Sequence, residues 1–196
     1  GYGTDHRGRV NGCNRITNNN GDGILISSGS VHNIIGGNLI SGNSGDGVEI
    51  NQANQNGIDG NFIGVDYYGL TAWPNGGNGV NINSGAISNT VMAPWDGTSV
   101  ISGNALAGVR IEGNGTQGNL VNNVFIGASS DGDTLIANKD GVIISNAPNN
   151  DITNNTIVGN SRDGVAITGG GAQGNFVADN DIGTNAHLAS LGNARY

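Results

Sequence analysis

The chain has 196 residues, of which 37 are glycine, and only 11% of its residues are charged. Its 15 acidic against 7 basic residues give a formal net charge of −8, which argues against nucleic acid or an anionic membrane as a partner. No apolar run reaches the roughly 20 residues of a membrane span, and we expect no membrane insertion. The length suits one domain over residues 1–196, either whole or a segment of a longer repeat array.

A glycine–apolar–any–apolar signature recurs along the chain with glycines 23 to 33 residues apart, a spacing typical of solenoid coils. In a strand the two flanking apolar residues point one way and the middle residue the other. The middle residue is Glu, Asn or Arg in three copies, so we expect it to face solvent. The predicted core is therefore residues 24, 26, 48, 50, 80, 82, 109, 111, 142, 144, 165 and 167. The six copies are Gly23–Ile26, Gly47–Ile50, Gly79–Ile82, Gly108–Ile111, Gly141–Ile144 and Gly164–Ile167.

A second pattern precedes four of these copies: an isoleucine seven residues before the glycine, with an asparagine three positions after that isoleucine. Asparagine tolerates left-handed backbone and bonds locally to it, so we favour a role in tight corners. The alternative is a ladder of stacked amides. The four asparagines are Asn19, Asn43, Asn104 and Asn160.

Other coils replace the tight corner with a long loop, after Ile63-Gly64, Ile126-Gly127 and Ile182-Gly183. Stacking of the coils predicts that these loops lie on one side of the solenoid. Aromatic rings beside acids are typical of sugar sites, so the loops supply candidate glycan-binding residues, although Trp73 beside Pro74 could instead pack against the solenoid wall. The candidates are Tyr67, Tyr68, Trp73, Asp131 and Asp133.

The alternation of residues 38–48, Asn-Leu-Ile-Ser-Gly-Asn-Ser-Gly-Asp-Gly-Val, with residues 60–66, Gly-Asn-Phe-Ile-Gly-Val-Asp, resembles the repeats of secreted bacterial surface proteins in the pectate-lyase-like superfamily. The resemblance implies an all-β, right-handed parallel β-helix of about seven coils with alternating short and long corner loops. It also implies an extracellular or cell-surface location. It does not select a function, because this architecture carries lyases, hydrolases, epimerases, adhesins and fibres.

Candidates for catalysis are few. Tyr2-Gly3-Thr4-Asp5-His6 is similar to the Tyr-Gly-x-Asp-Pro-His segment of alginate epimerases, but the proline is missing and His6 falls one residue early. Lys139, the only lysine, has no second basic residue near it in sequence. Four aspartates precede signature glycines, where Asp-Gly indicates turns rather than catalysis: Asp22, Asp46, Asp140 and Asp163. These observations favour a non-enzymatic protein.

Two kinds of modification or ligand site remain. Asn114 and Asn154 begin glycosylation sequons, which are frequent by chance in a chain rich in asparagine. Asp131 and Asp133 could hold a calcium ion weakly at the surface, and no other cofactor is expected. Cys13 has no partner for an internal disulfide, and we expect a buried thiol.

We favour a structural role, in which the chain assembles head to tail into a filament. Neither end shows an amphipathic helix that would cap an open solenoid end. A carbohydrate-binding or adhesin module is the alternative, followed by a polysaccharide lyase, epimerase or hydrolase. The predicted self-assembly residues are Arg7, Arg9 and Cys13 in the first coil and Val177, Asp179, Asp181 and Ile182 in the last.

Overall fold

The computed structural model describes residues 13–95, 97–184 and 190–194. These residues form six complete three-stranded coils and the first strand of a seventh. Coils 1 to 3 contain β1 (Arg15–Thr17), β2 (Ile24–Ser27), β3 (Ile34–Gly36); β4 (Leu39–Ser41), β5 (Val48–Asn51), β6 (Gly57–Asp59); β7 (Phe62–Ile63), β8 (Val80–Asn83) and β9 (Thr90–Met92). Coils 4 to 7 contain β10 (Val100–Ile101), β11 (Ala107–Glu112), β12 (Leu120–Asn122); β13 (Phe125–Ile126), β14 (Asp140–Ser145), β15 (Asp151–Thr153); β16 (Thr156–Ile157), β17 (Val165–Thr168), β18 (Phe176–Ala178); and β19 (Asp181–Ile182).

Equivalent strands of successive coils pair in parallel and build three sheets. The first sheet runs from β1 to β19, the second from β2 to β17, and the third from β3 to β18. This arrangement confirms the predicted parallel β-solenoid. Within the described residues there is no helix long and apolar enough to cross a membrane.

The predicted strand register is confirmed in the interior coils. Val109 pairs with Val80 on one side and Val142 on the other, and all three side chains are fully buried. The register also holds in the end coils, but burial there is incomplete: Ile24 and Val165 are half-buried and Ile167 is 45% exposed. These residues have a neighbouring coil on one side only, so their inward faces are not fully covered.

The outward column departs from the prediction at one position. Glu49 and Arg110 are half-buried on the outer surface, as expected of solvent-facing side chains in a sheet. Asn81 is only 9% exposed, although we predicted that it faces solvent. Its amide donates a hydrogen bond of 2.9 Å to Oδ2 of Asp46 and is held against the sheet.

The signature glycine is required by close stacking of coils. A Cβ atom added to Gly108 would lie 2.7 Å from Cγ2 of Ile126 and 3.0 Å from the carbonyl oxygen of Gly141, both in the next coil. The same contact, to an isoleucine methyl and a glycine carbonyl, recurs at Gly47 and Gly79. The repeated glycine thus gives the space that the parallel spacing of about 4.8 Å demands.

The corner asparagines form the ladder of stacked amides, which is the alternative to the favoured role in left-handed corners. None of the four predicted residues has left-handed backbone; that conformation belongs to Asn18, next to Asn19. The amide nitrogen of Asn43 donates to Oδ1 of Asn75 at 2.9 Å, and Asn75 donates to Asn104 at 2.9 Å. The complete ladder is Asn19, Asn43, Asn75, Asn104, Asn138, Asn160 and Asn193.

Two further ladders occupy the other corners. The one between the second and third sheets is continuous and contains Asn33, Asn56, Asn89, Asn119, Asn150 and Asn175. The one before the first sheet contains Asn14, Asn38, Asn61, Asn155 and Asn180, with Ser99 and Val124 in the positions between. Most of these asparagines are buried, so each corner of the solenoid has a polar core of its own.

A second apolar cluster lies outside the main core, around Leu39, Phe62 and Val100 of the first sheet. Cys13 packs against this cluster but is half-buried, so the prediction of a buried thiol holds only in part.

Candidate functional site

The two long loops within the described ranges lie side by side, as predicted. The backbone N–H of Ser130 donates to the carbonyl oxygen of Gly69 at 2.9 Å, and the hydroxyl of Ser130 donates to the carbonyl oxygen of Tyr68 at 3.0 Å. The loops therefore make one continuous surface on the first-sheet side of the solenoid.

The aromatic side chains of the first loop mainly pack against the protein. A Cβ atom at Gly42 would overlap Nε1 of Trp73, so the indole covers that glycine. The ring of Tyr67 lies under the guanidinium of Arg15, with 5.2 Å from Cζ to the ring centroid, and meets Tyr68 edge to face at 5.7 Å. This geometry favours the packing interpretation of Trp73 and leaves Tyr68, at 45% exposed, as the most open of these rings.

The acidic side chains of the loops hold the turns together. The carboxylate of Asp131 accepts hydrogen bonds from the hydroxyl of Ser129 and from the N–H of Asp133, and these bonds hold the pKa of Asp131 below its usual range. Asp66 plays the same part in the first loop, where it accepts the N–H of Leu70 at 2.8 Å. Among the described residues no three His, Cys, Asp or Glu side chains are grouped to hold a metal ion.

A charged cleft lies on the outer face of the second sheet, and sequence reasoning missed it. Lys139, which has no basic neighbour in sequence, shares this cleft with Arg110 and Arg162 from the two adjacent coils. The cleft encloses about 190 Å³, and Ile143 is among the residues that line it. Our inference that Lys139 lacks a second basic residue holds for the sequence but not in space.

Two of the three cations in the cleft are paired. Nη2 of Arg110 lies 2.6 Å from Oε2 of Glu112, and Nε of Arg162 lies 3.5 Å from Oδ1 of Asp140. Lys139 is exposed and forms no ion pair with the part of the chain that the structure describes. Counting the described residues only, the cleft thus offers one ammonium group without an ion pair beside two guanidinium groups.

The aspartates before the signature glycines connect coils. Oδ1 of Asp22 accepts the N–H of Asp46 at 2.7 Å, and Oδ1 of Asp46 accepts the N–H of Asn78 at 2.5 Å. Burial, followed by the neighbouring charges of Asp46 and Glu49, raises the pKa of Asp22. These contacts agree with the structural role that we predicted, although the bonds run between coils rather than within a turn.

Two features had no signal in the repeat pattern. Trp95 is fully exposed on an insertion that separates β9 from β10, and Pro94 beside it packs over Gly60. Asp59, on the third sheet, has a buried Oδ1 atom without a hydrogen-bond partner among the described residues. Burial raises the pKa of the Asp59 carboxyl.

Several predicted residues fall outside these surfaces. Asp5, His6, Arg7 and Arg9 lie outside the described residues. Asn114 and Asn154 are both exposed, and their use as glycosylation sites stays a prediction.

Coil 6 and β19 present exposed apolar side chains. Ile167, Val177 and Ile182 are 45%, 37% and 43% exposed, although they continue columns whose interior members are fully buried. Asp179 is exposed beside this face, and Asp181 is half-buried. The first coil is better covered, since Ile26 is only 5% exposed.

Residues 9–182 match the family model described as the right handed beta helix region. No curated protein and no solved structure matches the chain. The family match covers most of the chain and accords with the three parallel sheets, so the protein belongs to the right-handed β-helix family.

Proposed function

We propose that this right-handed β-helix protein is a non-catalytic, extracellular structural protein whose copies stack head to tail into a filament. The head is coil 1, and the tail is coil 6 together with β19. The observation that carries the proposal is the open tail face of Ile167, Val177 and Ile182. A head-to-tail contact does not close on itself, so it propagates as a fibre.

The apolar part of this contact is modest. Covering three side chains that are each about two-fifths exposed contributes on the order of 3 kcal/mol, taking about 1.5–3 kcal/mol for a fully buried aliphatic side chain. Association itself costs more than this. An open strand edge must therefore pair as well, either that of β19 or those of β17 and β18, because the first sheet is one strand longer than the other two.

Two observations support the remaining parts of the proposal. The loop acid Asp131 and the pre-glycine acids Asp22 and Asp46 accept hydrogen bonds that hold turns and coils together, which is a structural use of the carboxylates that polysaccharide chemistry would need. The extracellular location rests on the resemblance of the repeats to those of secreted surface proteins.

The test compares assembly of the unmodified chain with that of two single variants of β18. Val177→Asp places a charge on the stacking face and should abolish fibres seen by electron microscopy and by light scattering. Phe176→Asp places the same charge on the outward face of the same strand and should leave assembly intact. A chain that stays monomeric at high concentration would overturn the proposal.

A second candidate function is glycan binding, and the cleft of Arg110, Lys139 and Arg162 favours it. The ammonium of Lys139 forms no ion pair with the described residues and suits a sugar carboxylate, and the apolar side chain of Ile143 can contact a sugar ring. We expect binding of uronate polymers such as pectate or alginate without turnover.

The binding test uses calorimetry with uronate and neutral glycans. Lys139→Ala should weaken uronate binding, whereas Trp73→Ala, in the long loop, should not. Weaker binding in Trp73→Ala alone would move the site to the loops, and formation of unsaturated or epimerised product would make the protein an enzyme.

A further inference from the structure

The charged cleft that contains Lys139 adjoins a second hollow on the outer face of the second sheet, which we call the polar hollow. Glu112, the last residue of β11, lines both, so the two form one groove along the strands. The cleft reaches Ala107 and the polar hollow reaches Gly113, six residues further, which is about 20 Å at the rise of a strand. The groove therefore has room for an oligosaccharide rather than a single sugar ring.

The polar hollow differs from the cleft in its chemistry. It encloses about 460 Å³, and Glu112 is the charged residue among the described residues that line it. The groove thus has a basic end in the cleft and an end whose described lining holds no basic side chain. The uncharged residues of the polar hollow are Asn51, Asn83, Ser84, Gly113, Ser145 and Asn146.

Negative charge and hydrogen-bond acceptors surround the polar hollow. The amide nitrogens of Asn83 and Asn51 donate to Oε1 of Glu49, at 2.8 and 3.2 Å, which holds this carboxylate beside the hollow. Glu112 is paired with Arg110 at 2.6 Å, but Glu49 forms no ion pair with the described residues. A sugar hydroxyl can donate to the oxygen atoms there, whereas a carboxylate can only accept hydrogen bonds and is repelled by Glu49.

We propose that the groove binds an acidic glycan in which one sugar that carries a carboxylate is followed by uncharged sugars. The carboxylate binds Lys139 in the cleft, and hydroxyl groups of the uncharged sugars bind in the polar hollow. A homopolymer of uronate, such as pectate, binds less tightly because it sets a further carboxylate against Glu112 and Glu49. The inference rests on the glycan-binding function proposed above and adds which class of glycan the groove prefers.

The test is calorimetry of the folded chain with three trisaccharides. Glucuronosyl-xylobiose carries one carboxylate, trigalacturonate carries three, and xylotriose carries none. Glucuronosyl-xylobiose should bind at least about tenfold tighter than either of the others, because it alone suits both ends of the groove. Lys139→Ala should lower its affinity to that of xylotriose.

A positive charge placed in the polar hollow should remove the preference. Ser145 lines the hollow and pairs with Glu112 in the strand register. Ser145→Lys should therefore raise the affinity for trigalacturonate about tenfold and that for glucuronosyl-xylobiose less than about threefold.

The matched control is Ser27→Lys, the same change in the same column of the sheet. Ser27 pairs with Asn51 but lines neither the cleft nor the polar hollow. Since charges at a distance are screened by salt, this variant should change neither affinity by more than about twofold. Circular dichroism and thermal unfolding check that all variants are folded.

The outcomes separate this inference from the function on which it rests. Trigalacturonate that binds the unmodified chain as tightly as glucuronosyl-xylobiose, or a Ser145→Lys variant that shifts both ligands equally, would overturn the preference and leave glycan binding standing. Binding of glucuronosyl-xylobiose that survives Lys139→Ala would also overturn it. If neither acidic trisaccharide binds, the preference and the glycan-binding function are both wrong.

Discussion

Replacing Asn89 by alanine tests whether the ladders stabilise the fold. Asn89 is fully buried, and its side chain accepts the N–H of Asn56 at 2.9 Å and donates to the carbonyl oxygen of Ala53 at 3.0 Å. Alanine leaves both of these buried backbone groups without a partner. Each buried backbone group without a hydrogen-bond partner costs about 1–3 kcal/mol, so we expect the free energy of unfolding to fall by about 2–6 kcal/mol. This is a large fraction of the stability of an ordinary domain.

The assay is urea unfolding followed by circular dichroism, with hydrogen exchange to locate the loss. Asn114→Ala is the matched control, because Asn114 is exposed, and its effect should stay within about 0.5 kcal/mol. Exchange should accelerate first in the coils on either side of Asn89. A loss below about 1 kcal/mol for Asn89→Ala, equal to that of the control, would show that water replaces the amide at little cost and would refute the reasoning.

The remaining predictions concern stacking, core burial and pH. Gly108→Ala should cost about 1–3 kcal/mol in urea unfolding because the new Cβ overlaps the next coil, whereas Gly21→Ala, with no atom within 4 Å, should not. Val109→Asp puts an unpaired charge in the core and should prevent folding as judged by circular dichroism, whereas Leu25→Asp, at an exposed outward position, should fold. Since burial raises the pKa of Asp59 above 3.8, ionisation disfavours the fold, and Asp59→Asn should raise the melting temperature at pH 7. That advantage should develop as pH rises above about 3.8 and vanish below it; an equal gain at pH 3 would contradict it.

The inward-facing residues and the register of the second-sheet strands could be predicted from the sequence, because the glycine–apolar–any–apolar signature repeats without change. The alternation of apolar and polar residues in Gly108-Val109-Arg110-Ile111 indicates which side chains point inward, and the strand register follows from aligning the six copies. The end coils could not be treated in the same way. Exposure of Ile167 depends on what lies beyond it, and a column pattern contains no such information.

The ladders were only partly predictable because long loops hide their members. Asn43 and Asn104 follow an isoleucine by three residues, but Asn75 stands twelve residues after Ile63, beyond the loop. Counting back from the signature glycine finds it, since Asn75 precedes Gly79 by four residues, as Asn43 precedes Gly47. The corner is thus fixed relative to the strand that follows it.

The charged cleft could also have been predicted from positions counted relative to the signature glycine. Lys139 and Arg162 each stand two residues before a signature glycine, so parallel stacking places them one above the other. Searching for a basic neighbour along the chain misses this relation. In a solenoid, functional neighbours are one coil apart, and position relative to the repeat matters more than sequence distance.

The unusual composition follows from the stacking geometry. A parallel spacing of about 4.8 Å leaves no room for a Cβ where coils touch, which requires glycine, as at Gly108. A buried corner rung must accept from one neighbour and donate to the other, which excludes aspartate because a carboxylate cannot donate. Serine can do both, but its short side chain at Ser99 gives only one weak bond of 3.5 Å, to the backbone oxygen of Asn61. Asparagine meets both demands at this length, which explains why most of the buried corner positions are asparagine.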